Sequence, residues 1–124
     1  MILISHDLSV LAETCDRVAI MYAGRVVEEA PAAALFPGPG RVGGPAHPYT
    51  QGLLRAFPNV HGERRLIEGM PGHPPDLADP PPGCRFAARC PVRIERCTTD
   101  DPALRPVVAG HAAACHLVGE EVPA

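Results

Sequence analysis

The sequence predicts an α/β fold that ends in a small, loop-rich, metal-stapled extension. Three observations carry this. Short apolar strands alternate with helix-like segments over the first 36 residues. Gly (12) and Pro (16) make up about 23% of 124 residues, just under the ~25–30% that marks low complexity. Four of the five Cys follow Gly83. Residues 1–46 read as the end of an α/β domain and residues 47–124 as an appendage.

Ile2-Leu3-Ile4 reads as the end of a buried strand, since a short apolar run before a turn signal suits one. Asp7 is suited to cap a helix running to about Cys15, with Leu8, Leu11 and Ala12 at helical spacing. Arg17 to Ala23 is a strand, Gly24 turns the chain, and Arg25 to Glu29 returns as the second arm of a hairpin. Pro31 opens a short Ala-rich helix ending near Phe36, and residues Pro37 to Ala46 form a Gly/Pro linker. Pro48 starts another helix, with Leu53, Leu54 and Phe57 on one face and Pro58 as its stop. After Arg65-Leu66-Ile67-Glu68 a Pro-rich stretch runs from Pro71 to Pro82. With aromatics at only 4% and no Trp, a core this small calls for a staple.

Composition excludes several functions. The net charge of -3 gives no sign of nucleic-acid binding. Every basic residue is Arg, so a phosphate-binding loop with its obligatory Lys cannot lie in this chain. No apolar run approaches the ~18–20 residues of a membrane span. Residues Met1 to Asp7 lack the basic flank of a signal peptide. A cytoplasmic setting follows as the default, and there five Cys favour a metal or reactive thiols over disulfides.

His6 lies between a strand end and a helix N-terminus, where an imidazole can reach a phosphate oxygen. The plainer reading of a lone His there is a hydrogen bond to nearby backbone. The wider context favours the first. The run from Leu3-Ile4-Ser5-His6-Asp7-Leu8 through Asp16-Arg17-Val18-Ala19-Ile20-Met21-Tyr22-Ala23-Gly24-Arg25 to Glu28 resembles the switch-histidine region of ABC ATPase subunits. The resemblance implies the truncated end of an ABC-type ATPase domain, with His6 against the γ-phosphate of ATP and its Mg in the full-length subunit. In that family the phosphate-binding loop, the signature motif and the catalytic acids lie upstream of this region. Phosphoryl transfer rests on those parts, so this chain alone is expected to be inactive as an ATPase.

His47-Pro48-Tyr49-Thr50-Gln51-Gly52-Leu53-Leu54 resembles the segment that opens the C-terminal extension of oligopeptide and dipeptide transporter ATPases. Gly69-Met70-Pro71-Gly72-His73-Pro74-Pro75 and Pro81-Pro82-Gly83-Cys84-Arg85-Phe86-Ala87-Ala88-Arg89-Cys90 fit the same extension. His47 itself reads as a helix-start residue packing on the domain. The resemblance implies a peptide importer in which the subunit pairs with a second ATPase subunit and drives membrane permease subunits. It would act at the cytoplasmic face of the plasma membrane, touching the peptide only indirectly.

The cysteines run Cys84-x5-Cys90-x6-Cys97-x17-Cys115. Four thiolates satisfy tetrahedral Zn or a four-iron cluster, but C-x2-C pairs are missing. Buried thiols or disulfides are the alternatives to a metal. The family resemblance points to a [4Fe-4S] cluster on Cys84, Cys90, Cys97 and Cys115, serving as a structural staple, with Zn as the other metal. Arg85, Arg89, Arg93 and Arg96 are interleaved and would lower the thiol pKa values. His111 and His116 flank Cys115 and could replace one ligand, while the resemblance implies that His111 is a neighbour to the ligands. Cys15 reads as a core thiol. The competing readings are a free-standing four-cysteine metal module without a transport role, and a small hydrolase using His6 or His47, for which no paired nucleophile is evident.

Overall fold

Asp7 caps the first helix as its position dictates. Its side chain accepts the N–H groups of Ser9 and Val10, and the helix α1 runs Leu8–Thr14. The computed structural model describes residues 1–37, 44–56 and 72–118. The expected Phe57 and Pro58 helix end, the Arg65–Glu68 segment, Gly69-Met70-Pro71 and the centre of the Gly/Pro linker lie outside the described residues. The chain continues as β1 (Arg17–Tyr22), β2 (Arg25–Pro31), α2 (Ala32–Leu35), α3 (Pro48–Arg55), two single 3-10 turns (Ala87–Arg89, Glu95–Thr98), β3 (Arg105–Val108) and β4 (His111–Ala113). The four strands form one antiparallel sheet in the order β1-β2-β4-β3. The architecture is a small mixed α/β fold.

The β1–β2 hairpin forms as expected. Its two-residue turn needs positive φ at both positions, and Ala23 (49°) and Gly24 (79°) supply it. β1 alternates strictly, with Val18, Ile20 and Tyr22 buried and Arg17, Ala19 and Met21 exposed. These three meet Leu11, Val27, Ala30, Ala32, Leu35 and Phe86 in the main core. Cys15 packs partly buried against it, as a core thiol should. Four of the five aromatic residues pack here, Phe36 among them, and three form one group. Tyr22 lies 4.6 Å from Tyr49 and 5.3 Å from Phe86, ring centre to ring centre, and Tyr49 lies 5.5 Å from Phe86. Burying Phe86 contributes about 1.5–3 kcal/mol, so a few rings concentrated in one place anchor α3 and the cysteine-bearing loop to β1.

One expectation fails. Ile2-Leu3-Ile4 forms no strand, and Ile2 (90%) and Ile4 (93%) stand exposed. A strand is held by hydrogen bonds to a neighbour, and among the described residues none pairs with this segment. The described tail is mostly loop, as expected, and carries two short strands. β3 and β4 are short strands joined at Ala109-Gly110, and β4 extends the sheet by pairing with β2. Pro106 sits in β3, at the sheet edge where a missing N–H is tolerated.

Candidate functional site: a four-thiol recess hung from a buried carboxyl

The thiol recess is built from two pieces of chain. Cys84, Cys90 and Cys97 come from the loop and 3-10 turns between Gly83 and Thr98; Cys115 follows β4 directly. The first piece is clasped by the Cys84 N–H donating to the Cys97 carbonyl at 2.8 Å. That clasp depends on Gly83. A Cβ there would lie 2.2 Å from the Cys97 carbonyl oxygen and 2.6 Å from the Thr98 carbonyl carbon. The second piece is fixed by the Ala114 N–H, which donates to the Val27 carbonyl of β2 at 2.7 Å.

All four cysteines line one shallow recess, together with His47, Phe86, Val92 and His116. None is in a disulfide. Burial pushes the Cys84, Cys90 and Cys115 thiols above their ordinary value, and charge on the neighbouring cysteines pushes the same way. Backbone N–H groups act against this in a repeated pattern: that of Phe86 on Cys84, of Val92 on Cys90 and of Leu117 on Cys115, each two residues on. Donors aimed at sulfur favour the thiolate, the form that binds metal.

The interleaved arginines do not play the part expected of them. Among these three thiols only Cys90 feels one, Arg93, and there burial outweighs it. Arg85 instead donates to the Ala23 carbonyl, Arg89 to the Tyr22 hydroxyl at 3.3 Å, and Arg96 pairs with Asp100 at 3.3 Å. Among the described residues no three His, Cys, Asp or Glu side chains form a group that could hold one metal ion.

His6 lies elsewhere, exposed in the bend just before the Asp7 cap. His47 takes the helix-start role read from the sequence. It is 1% exposed, caps α3 by accepting the Tyr49 N–H on Nδ1 at 3.0 Å, and lies tilted against the Phe86 ring at 5.8 Å between ring centres. Burial lowers its pKa from 6.5 to about 4, against the smaller opposing pull of Glu28. The folded chain therefore holds His47 neutral. The stability this contributes is present above pH 6.5 and is lost as the pH falls towards 4, since the unfolded chain takes up the proton first. A shift of this size corresponds to roughly 3 kcal/mol. Thermal melts at pH 7.5 and 4.5 check it: His47→Asn, which can cap but does not titrate, is expected to show a visibly smaller acid loss than the parent chain.

His116 is 2% exposed, with Nε2 2.7 Å from the Asp100 carbonyl oxygen. Its Nδ1 has no hydrogen-bond partner among the described residues. His111, read as a neighbour to the ligands, turns to Glu28 instead, with Nε2 2.6 Å from Oε1. Glu28 is the residue that sequence reasoning missed. It is fully buried on β2, and its carboxyl also accepts the Ala46 N–H at 2.6 Å and the His47 N–H at 3.1 Å. Beside Glu29 in an ordinary strand, nothing in the local pattern marks it; only the partners brought by the fold do.

The chain belongs to the family described as oligopeptide/dipeptide transporter, C-terminal region, which matches residues 27–97. It is 42% identical over 120 residues to the oligopeptide transport ATP-binding protein AppD of Bacillus subtilis (strain 168), covering 97% of this chain and 35% of that protein. It is 40% identical over 116 residues to the dipeptide transport ATP-binding protein DppD of Escherichia coli (strain K12), covering 94% of this chain and 34% of that protein. The chain thus spans about a third of the length of the curated relatives it matches. Among the described residues no helix is long and apolar enough to cross a membrane.

Proposed function

We propose that this chain is the C-terminal portion of the ATP-binding subunit of a peptide ABC importer. It acts in ATP-driven uptake as part of a whole subunit, at the cytoplasmic face of the membrane, with permease subunits and a second ATP-binding subunit as partners. The observation that carries this is the match to peptide-transport ATP-binding proteins along nearly the whole chain. Residues 1–46 are the end of the ATPase domain and supply His6 to the γ-phosphate; residues 47–124 are the extension. The exposed bend at His6, beside the Asp7 cap, leaves its imidazole open to a nucleotide. The purified 124-residue chain is expected to hydrolyse no ATP above the buffer rate. Turnover that disappears in His6→Ala would contradict this.

The recess is the place for a [4Fe-4S] cluster, with Zn as the alternative metal. The donor set supports it: four free thiols line one recess, and three of them receive backbone N–H groups. A cluster takes one thiolate per iron, so its thiols are spread around a larger body than one ion. When bound, the cluster would cross-link the Cys84–Cys97 loop to Cys115 and supply folding energy directly. Chain purified without oxygen is expected to hold iron and acid-labile sulfide in near-equal amounts, both lost in Cys90→Ser. Zinc without sulfide would replace the cluster by a single-ion site, and neither metal would end the assignment.

A further inference from the structure

The recess has a joint, and the joint is Glu28. Three of the cysteines belong to a loop clasped on itself, but the remaining walls do not. His47 enters through the residue 44–48 segment and Cys115 through β4, and both are hung from β2 at Val27 and Glu28. Glu28 Oε1 accepts the Ala46 N–H and lies 2.6 Å from His111 Nε2, while Oε2 accepts the His47 N–H. Ala113 faces Glu28 in the β2–β4 register, and the next residue, Ala114, bonds to Val27 and to His47. One fully buried carboxyl on β2 thus binds two segments that the chain brings in separately, residues 44–48 and β4.

We propose that Glu28 is the positioning residue that closes the thiol recess, so that occupancy of the recess and folding of the β1–β2 hairpin are linked. The inference rests on the recess being the cluster site proposed above. The geometry makes the link reciprocal. A hairpin that holds Glu28 in place brings Cys115 to the other thiols, and a group bound to all four thiols holds β4 on β2. The carboxyl of Glu29, the next residue, pairs with Arg17 at 2.8 Å on the surface, away from the Ala46, His47 and His111 partners of Glu28.

The test compares the 124-residue chain with Glu28→Gln, His111→Gln and Glu29→Gln. Glu28→Gln keeps the shape but sets an amide N–H against donors. Each chain is reconstituted without oxygen with ferrous iron and sulfide, and its visible absorption is followed against a competing chelator. Iron-free samples are labelled with a neutral maleimide and read cysteine by cysteine. Glu28→Gln is expected to hold iron about 10–100-fold more weakly, the range for residues that orient ligands. Its Cys115 should be labelled faster, with Cys15 unchanged; Glu29→Gln should match the parent. A folded Glu28→Gln chain that holds iron and shields Cys115 like the parent overturns the proposal. Should the parent take up neither iron nor sulfide, the cluster reading falls, and Cys115 labelling alone decides the positioning role. Should Glu28→Gln be unfolded by circular dichroism, His111→Gln carries the same comparison.

Discussion

Gly83→Ala is expected to destabilise the chain by about 1–3 kcal/mol or more, the cost of overpacking a well-packed site, and to open the thiol recess. The reason is contact with backbone, which cannot swing aside as a side chain can. The added methyl would sit 2.2 Å from the Cys97 carbonyl oxygen, 2.6 Å from the Thr98 carbonyl carbon and 2.8 Å from the Thr99 nitrogen. Relieving this moves the two loop segments apart and breaks the bond from the Cys84 N–H to the Cys97 carbonyl. Denaturant unfolding measures the first effect, and faster maleimide labelling of Cys97, buried in the parent chain, measures the second. Gly72→Ala is the contrast: its strain is local, from a φ of 84°, and its nearest neighbour is the flexible Arg89 side chain.

The larger loss is expected from Glu28→Ala, at about 3–5 kcal/mol, the cost of removing one partner from a buried pair. Two buried or half-buried backbone N–H groups, at Ala46 and His47, and the His111 imidazole would lose their acceptor together. Domains of this size have only about 5–15 kcal/mol in all, so the variant should melt far below the parent. The residue 44–47 amides should exchange fastest, since their anchor is gone. An unchanged melting temperature would mean that water satisfies these groups as well as the carboxyl does.

Local chemistry made much of this fold legible. The Asp7 cap, the Ala23-Gly24 turn, the alternation of Val18, Ile20 and Tyr22 and the Pro48 helix start each act within a few residues. The family was legible for a related reason: the runs around His6, His47 and Cys84 are long and specific. What sequence could not show depends on partners far along the chain. Ile2-Leu3-Ile4 carries a strand pattern, but a strand needs a neighbour, and the described residues offer none. β4 is three residues long, too short for a periodic signal, and exists because β2 accepts it. The arginines near the cysteines were read as thiol neighbours by their spacing, yet Arg85 and Arg89 reach across to the hairpin at Ala23 and Tyr22. The buried Glu28 was hidden for the same reason, since its partners Ala46 and His111 lie 18 and 83 residues away.

The central claim is that this chain is the working C-terminal portion of a peptide importer's ATP-binding subunit, with His6 at the nucleotide. The most direct test grafts the 124 residues onto the dipeptide transport ATP-binding protein of Escherichia coli in place of the region they match. Dipeptide uptake and ATP hydrolysis are then measured in cells and membranes. The chimera is expected to restore both, and His6→Ala in the graft should lower hydrolysis by about 100-fold or more, the cost of losing a group that stabilises transferring charge. A folded, membrane-associated chimera that hydrolyses ATP equally well with and without His6 would contradict the account.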